Sequence, residues 1–161
     1  MHVLRNRKVR HAALAGSLAV ALLTTGVAAA PAAEAGSLRT KVLHAINRVR
    51  ANHDLNTLSL NRPLSDDARA HTRKMIRRGK LFDPRNLAQL LEPYNWDVIG
   101  ADVVGCHSTV QKIMRQWMSE GLHRDIILHP ALEKAGIGAI ATSGKSECGR
   151  DKVWVTAIMY G

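Results

Sequence analysis

The chain of 161 residues carries 23 Lys and Arg against 13 Asp and Glu, a formal net charge of +10 at pH 7 with its eight His taken as neutral. Apolar residues make up 46% and aromatic residues 4% of the chain, which excludes a disordered polymer, a collagen-like chain and a low-complexity repeat. One folded domain is expected at this length, and the two cysteines are too few for a disulfide-scaffolded miniprotein or a four-cysteine zinc module.

The first 35 residues have the pattern of a secretory signal peptide, because a basic segment precedes an apolar run from Ala12 to Ala30. Small residues at Ala33 and Ala35 form a cleavage site that predicts a mature chain beginning at Gly36. An uncleaved membrane anchor is the alternative interpretation, because the apolar run approaches the length of a bilayer span.

Cleavage would leave residues 36–161 as one domain that is secreted or held at the cell surface, with no transmembrane segment. This domain stays strongly basic, so it attracts anionic polymers, lipid head groups and cell-wall acids over long range. Nucleic acid is also anionic, but export argues against it as a partner. Cys106 and Cys148 both remain after cleavage, and one disulfide is the simplest pairing in an oxidising compartment, with two unpaired thiols as the alternative.

A first helix is predicted from Ser37, which is expected to be its N-cap. Helical spacing gives it one apolar face, made of Leu38, Val42, Ala45, Ile46 and Val49. Basic residues are expected off that face, at Arg39, Lys41, Arg48 and Arg50. A connector rich in Asn and Asp follows, at residues 51–63.

A second helix is predicted from Pro63 or Leu64 to Ile76, with Gly79 ending it. Its inner stripe is Leu64, Ala68, His71 and Met75. Because His71 lies on this stripe, a hydrogen-bonded core histidine is favoured over a ligand. The outer face holds the densest run of positive charge, at Arg69, Arg73, Lys74, Arg77, Arg78 and Lys80. This face is either an anion-binding patch or a solvated helix surface.

Shorter elements follow along the chain. A short helix or loop is expected at residues 84–91, and an extended segment ends near Gly105. A third helix is predicted from Ser108 to Met118. Its side chains that face the core are Val110, Ile113, Met114 and Trp117. A short helical turn then ends at Pro130.

Two strands are predicted near the end of the chain, starting at Gly136 and Lys152. The segment between them predicts a loop too long for a two-residue hairpin turn. The second strand is apolar on both faces, so it should be central in the sheet and covered on both sides. Because helices precede the few strands, the fold class is α+β, an α-β-α sandwich.

Four segments carry a resemblance to a known family. They are INRVRANHDLNTLSLNRPLSDDARAHTRKM, IGADVV, WMSEGLHRDIILHPALEKAGIGAI and VWVTAIMYG. The first is similar to the pattern N-x-x-R … L-x-x-N-x-x-L … A-x-x-H-x-x-x-M, and the third to W-x-x-S-P-G-H-R-x-N-I-L … G-V-G. From about Leu38 to Gly161 the chain resembles the CAP superfamily, the SCP-like domain of cysteine-rich secretory, antigen-5-type and pathogenesis-related proteins, in its bacterial secreted form. The resemblance implies a mainly antiparallel sheet between helices.

The resemblance also implies a cleft in which two His and two Glu can hold a divalent metal. His123 and Glu120 match half of this set, while Asp83 and Ala101 replace the other His and Glu, with Asp102 beside Ala101. Imidazoles with carboxylates suit zinc, so Asp83, Glu120 and His123 predict at most weak divalent metal binding. The alternative is that His123 makes a hydrogen bond within the cleft and Glu120 pairs with Arg124 or solvent.

Catalysis has weaker support in the sequence. Glu120 and His123 can act as acid and base, but Ser119 lacks the glycine pattern of a nucleophile elbow, and Ser108 beside His107 is a common start of a helix. The sequence has no H-E-x-x-H motif and no glycine-rich phosphate loop. No cofactor is required.

We therefore expect a secreted, non-catalytic CAP-like domain that binds a lipid, an envelope polymer or an extracellular protein. Binding would use the degenerate His/Glu cleft or the basic face of the second helix, at Arg69, Arg73, Lys74, Arg77 and Arg78. One alternative is a metal-dependent secreted hydrolase or peptidase that uses Glu120, His123 and Asp83. A second alternative is a cationic cell-envelope-binding protein that acts through the second helix.

Overall fold

A computed structural model describes residues 3–5 and 32–161, with side chains described from residue 38 onward. Most of the predicted signal peptide therefore lies outside the described residues. The helices are α1 (Ala32–Ala51), α2 (Arg62–Arg78), α3 (Leu87–Leu91), α4 (Val110–Ser119) and α5 (Gly121–Ile127), with a 3-10 turn at Glu92–Tyr94. The strands are β1 (Val3–Arg5), β2 (Ser59–Leu60), β3 (Ile99–His107), β4 (Lys134–Ser146) and β5 (Gly149–Tyr160).

The strands form one sheet in the order β1-β3-β5-β4-β2 within the described part of the chain. The β5 strand is central and runs antiparallel to β3 and β4, whereas β2 adds to the edge of β4 in parallel. Residues Trp154 to Tyr160 of β5 are all buried. The prediction of a central strand covered on both sides is therefore confirmed.

Helices cover both faces of the sheet. On one face, α1, α4 and α5 pack against inward side chains of β3, β4 and β5. On the other face, α2 and α3 pack against β4, β5 and β3. Trp117 of α4 is 1% exposed and its indole N–H donates to the Val104 carbonyl at 2.9 Å. The fold is an α+β sandwich of α-β-α type, as predicted, and none of the described helices is long and apolar enough to cross a membrane.

The α2 helix packs closely against β4, because glycines face it there. A Cβ atom at Gly136 would overlap the backbone of Leu64, and one at Gly138 would overlap the backbone of Ala68. The Ser65 hydroxyl of α2 also accepts a hydrogen bond from the Ile137 N–H at 3.0 Å. The G-x-G segment of β4 thus sets the distance between α2 and the sheet. The α2 helix itself starts and ends close to the predicted residues, with Asn61 and Gly79 as its caps.

Two predicted helix starts are wrong. In the uncleaved chain, α1 begins at Ala32 rather than after an N-cap at Ser37, because the segment A-A-E-A at residues 32–35 favours helix. The N-cap of α4 is Thr109 rather than Ser108, because the Thr109 hydroxyl accepts the Lys112 N–H at 3.2 Å.

The hairpin between β4 and β5 also differs from the prediction. The strands continue to Ser146 and from Gly149, so the turn is only two residues long. A register shift between Thr142 and Lys145 lets the strands continue through the predicted loop. The turn contains Cys148, which forms a disulfide with Cys106 of β3. The predicted disulfide is confirmed, and it joins the hairpin turn to the end of β3.

Arg50 is the clearest departure from the sequence analysis, because its side chain is fully buried instead of lying on the polar face of α1. Its Nε atom donates to the Asn56 carbonyl at 2.8 Å. The two terminal nitrogens donate to the carbonyls of Ile127, His129 and Leu132 at 2.8, 3.0 and 3.2 Å. Burial lowers the pKa of the guanidinium. The chain between α5 and β4 folds over the end of α1, and this contact buries Arg50.

We predict that Arg50→Ala lowers the free energy of unfolding by about 3 kcal/mol, because it leaves buried carbonyls without donors. Arg48→Ala removes an exposed arginine from the same helix and should change stability by less than about 0.5 kcal/mol. Urea denaturation with the disulfide intact measures both variants. Equal losses in the two variants would contradict the role of Arg50.

Candidate functional site

The structure brings Glu120 and His123 together at the junction of two helices. Glu120 has an extended backbone that separates α4 from α5. Its Oε2 atom lies 2.5 Å from Nδ1 of His123, and its Oε1 atom accepts a hydrogen bond from the Gln116 side chain at 3.1 Å. Arg124, the partner proposed for Glu120 from the sequence, lies instead 3.5 Å from Asp125. The two candidate residues thus form a partly exposed pair.

The third predicted metal ligand does not join this pair. Asp83 lies in the connection between α2 and α3, the helices that cover the other face of the sheet. Ala101 belongs to the core beside α4, and Asp102 follows it on an extended strand and is fully buried. Among residues 38–161, no three His, Cys, Asp or Glu side chains are grouped so that they could hold a metal ion. The side chains present therefore do not fit the zinc set that the resemblance implies.

His71 is a buried, hydrogen-bonded histidine, as its place on the inner stripe of α2 predicts. Its Nε2 atom lies 2.8 Å from the Phe82 carbonyl, which can only accept, so Nε2 carries the hydrogen. The Phe82 ring meets the imidazole edge-on, with 5.0 Å between ring centres. Burial lowers the pKa of His71 and nearby Lys74 lowers it further, although the hydrogen bond to Phe82 raises it.

The predicted basic residues of α2 share its outer surface. We name this surface the α2 basic face, and it consists of Arg69, Arg73, Lys74, Arg77 and Arg78. Arg69, Arg73 and Arg77 follow each other at four-residue spacing, so they form one row along the helix. Lys74 and Arg78 form a second row beside it, and all of these residues except Arg69 are exposed.

Positive charges are crowded at the start of the α2 basic face. The pKa of Arg69 is lowered by burial and then by the charges of Arg73 and Arg39, while Asp66 acts in the opposite direction. The Nε atom of Arg69 is buried without a hydrogen-bond partner. Asp66 lies 3.6 Å from Arg39. A bound anion would relieve this repulsion.

A groove of about 330 Å³ runs beside the α2 basic face, where the chain turns back after the helix. Three cations line it, Lys74, Arg78 and Arg85, and the lining also includes Asp67, His71 and Phe82. The Arg78 guanidinium lies over the Phe82 ring, 4.9 Å from its centre. Sequence analysis did not identify Phe82 and Arg85 as site residues, since nothing in the pattern shows that the α2–α3 connection packs against α2.

A family profile described as the cysteine-rich secretory protein family, CAP, matches residues 43–159. A comparison with curated proteins finds no match. The fold resembles an extracellular protein with an SCP domain from Bacillus anthracis, at 16% identity and a TM-score of 0.61, over 78% of this chain and 41% of that one. It also resembles an outer surface protein from Borrelia burgdorferi, at 14% identity and a TM-score of 0.57, over 76% of this chain and 92% of that one.

A cysteine-rich secretory protein from Staphylococcus aureus is a third structural neighbour, at 16% identity and a TM-score of 0.55, over 80% of this chain and 40% of that one. The chain thus spans less than half the length of the Bacillus and Staphylococcus proteins. At these identities the likeness concerns the fold.

We predict that stability falls as the pH drops below about 6.5, the ordinary pKa of histidine. The pKa of His71 is lower in the folded than in the unfolded chain, so the unfolded chain binds more protons in this range and gains relative stability. His71→Gln keeps an N–H donor for the Phe82 carbonyl but does not titrate. The urea concentration at the midpoint of unfolding is measured above and below this pH. The difference between the two values should be smaller for His71→Gln than for the natural protein.

The matched control is His44→Gln, which removes an exposed histidine of α1. This variant should keep the full pH dependence. An unchanged pH dependence in His71→Gln would show that the buried imidazole is not its source.

Proposed function

Since the chain belongs to the CAP family of cysteine-rich secretory proteins, we propose that it is a secreted, non-catalytic domain that binds an anionic polymer of the cell envelope. The signal-peptide pattern and the Cys106–Cys148 disulfide support export. Structural neighbours described as an extracellular protein and an outer surface protein support the same location.

The α2 basic face is the observation that carries this proposal. Four of its five residues are arginines, whose planar guanidinium groups bind phosphate and carboxylate through two parallel hydrogen bonds. Successive arginines in one row lie about 6 Å apart along the helix axis. Such a row suits a polymer that carries an anionic group in each repeat, and the groove beside Arg78 offers a further place for one group.

The surroundings of the candidate catalytic residues support a non-catalytic role. The Ser119 hydroxyl donates to the Gln116 carbonyl at 2.8 Å, so it is not directed at a base. The Nδ1 atom of His107 accepts the backbone N–H of Ser108 at 2.7 Å, and the Ser108 hydroxyl lies 3.2 Å from the same atom. Both cysteines are in the disulfide. The pair formed by Glu120 and His123 therefore has no activated nucleophile beside it among the described residues.

We predict that the full chain, expressed in a secreting host, is recovered from the medium with Gly36 as its first residue. The small-residue site at Ala33 and Ala35 determines this position. N-terminal sequencing of the recovered protein measures it. Retention of the intact leader in the membrane fraction would support the anchor interpretation instead.

The binding proposal is tested with inorganic polyphosphate and poly-L-glutamate as probes. We predict that Arg73→Gln combined with Arg77→Gln lowers the affinity for the preferred polymer by up to about tenfold, because two exposed charge contacts are lost. Affinity should also fall as salt is raised, since exposed ion contacts are screened. Fluorescence anisotropy with labelled polymer measures both effects.

The matched control changes the same net charge elsewhere, through Arg124→Gln combined with Lys134→Gln. Both residues are exposed and lie outside α2. The control should bind within about twofold of the natural protein, since only long-range attraction is reduced. An equal loss in both double variants would mean that net charge, and not the α2 basic face, determines binding.

A further inference from the structure

Positive charge from α1 adds to the start of the α2 basic face. The Arg39 side chain of α1 reaches across to α2, where its Nη2 atom lies 3.6 Å from Oδ1 of Asp66. The two helices pack on opposite faces of the sheet, and this ion pair shows that they come close together here. Arg39 is therefore near enough for its charge to act on Arg69 of the α2 basic face.

Three guanidinium groups act on one another at this point. Burial and the charges of Arg73 and Arg39 lower the pKa of Arg69, while Asp66 acts in the opposite direction. We name the three residues Arg39, Arg69 and Arg73 the arginine cluster. It holds more positive charge than the carboxylate of Asp66 can balance.

The arginine cluster is partly shielded from water. The Arg39 side chain is only 18% exposed, Arg69 is half-buried and Arg73 is exposed. Salt screens partly buried charges less than it screens charges on the open surface. An anion bound here would therefore be attracted more strongly than one bound elsewhere along the α2 basic face.

The carboxylate of Asp66 occupies this place only weakly. Its side chain is 77% exposed, and its 3.6 Å contact with Arg39 is longer than a hydrogen bond. An exposed ion pair of this kind contributes little to stability. The neighbouring Asp67 is engaged by the Tyr94 hydroxyl, which donates to its Oδ2 atom at 2.6 Å. A more highly charged anion can therefore displace Asp66 from Arg39.

A terminal phosphate group has the chemistry that the arginine cluster requires. A phosphate monoester carries nearly two negative charges and three acceptor oxygens, which suit several arginines at once. A carboxylate has one charge and two oxygens, so it would only exchange the carboxylate of Asp66 for another of the same kind. A phosphate within a diester chain also carries a single charge. The cluster therefore favours a terminal phosphate over both.

We infer that Arg39, Arg69 and Arg73 bind a terminal phosphate group, which displaces Asp66 from Arg39. This inference rests on the proposed function and deepens it, because it selects, among anionic envelope polymers, those that carry phosphate monoester groups. It also adds Arg39 of α1 to the residues that contact the ligand.

The first test compares pyrophosphate, in which both phosphates are terminal, with citrate, a carboxylate ligand of similar total charge. Nuclear magnetic resonance titrations measure the affinities. The natural protein should bind pyrophosphate about tenfold more tightly than citrate, because phosphate makes additional charge-assisted hydrogen bonds. Arg39→Gln should lower the affinity for pyrophosphate about fivefold and change that for citrate by less than about twofold. Arg48→Gln, which removes an exposed arginine further along α1, should change neither affinity.

The second test uses Asp66→Asn, whose expected effect is a gain that a folding defect cannot imitate. Removing the competing carboxylate should raise the affinity for pyrophosphate about fivefold. Asp125→Asn is the matched control, since it also removes an exposed carboxylate that lies 3.5 Å from an arginine. The control should bind within about twofold of the natural protein.

Equal affinities for pyrophosphate and citrate would overturn the inference, and so would an Arg39→Gln variant that binds pyrophosphate as tightly as the natural protein. An equal gain in Asp66→Asn and Asp125→Asn would also overturn it, because net charge alone would explain the change. The proposed function would survive these results if polyphosphate binding still depends on Arg73 and Arg77. A natural protein that binds neither polyphosphate nor pyrophosphate would contradict both.

Discussion

The buried guanidinium of Arg50 is the contact on which much of this fold depends. It joins the end of α1 to the last carbonyls of α5 and to the chain that leads into β4, so elements distant in sequence are fixed at one point. Beside it, the Asn47 side chain donates to the Leu58 carbonyl and accepts the Leu58 N–H, at 2.9 and 2.8 Å. The N-x-x-R motif of α1 is therefore structural, and it positions α5, which carries His123.

The buried faces of helices and strands could be predicted from the sequence, because apolar residues recur there at the spacing of the element. The inner stripe of α2, the buried Trp117 and the central position of β5 all follow from such spacing, and each is confirmed. The burial of Arg50 could not be predicted, because its partner Ile127 lies 77 residues away and contributes only a carbonyl. The two-residue hairpin turn could not be predicted either. No sequence pattern in this polar segment indicates the register shift that lets the two strands stay paired.

The candidate site was predicted only in part. The three-residue spacing of Glu120 and His123 correctly predicted that their side chains meet. Asp83, in contrast, lies in the α2–α3 connection and is not grouped with them. That connection instead brings Arg85 and Phe82 to the α2 basic face, which no local pattern could indicate. We therefore place the proposed ligand contact on the α2 basic face rather than on the pair formed by Glu120 and His123.

The most direct test of this account is a nuclear magnetic resonance titration of the ¹⁵N-labelled protein with tripolyphosphate, which serves as a short anionic probe. We expect the largest shifts in the arginine Nε–H signals of Arg73, Arg77 and Arg78, with the backbone N–H signals of Glu120 and His123 little changed. Shifts confined to Glu120 and His123 would contradict the account and return the binding site to the cleft.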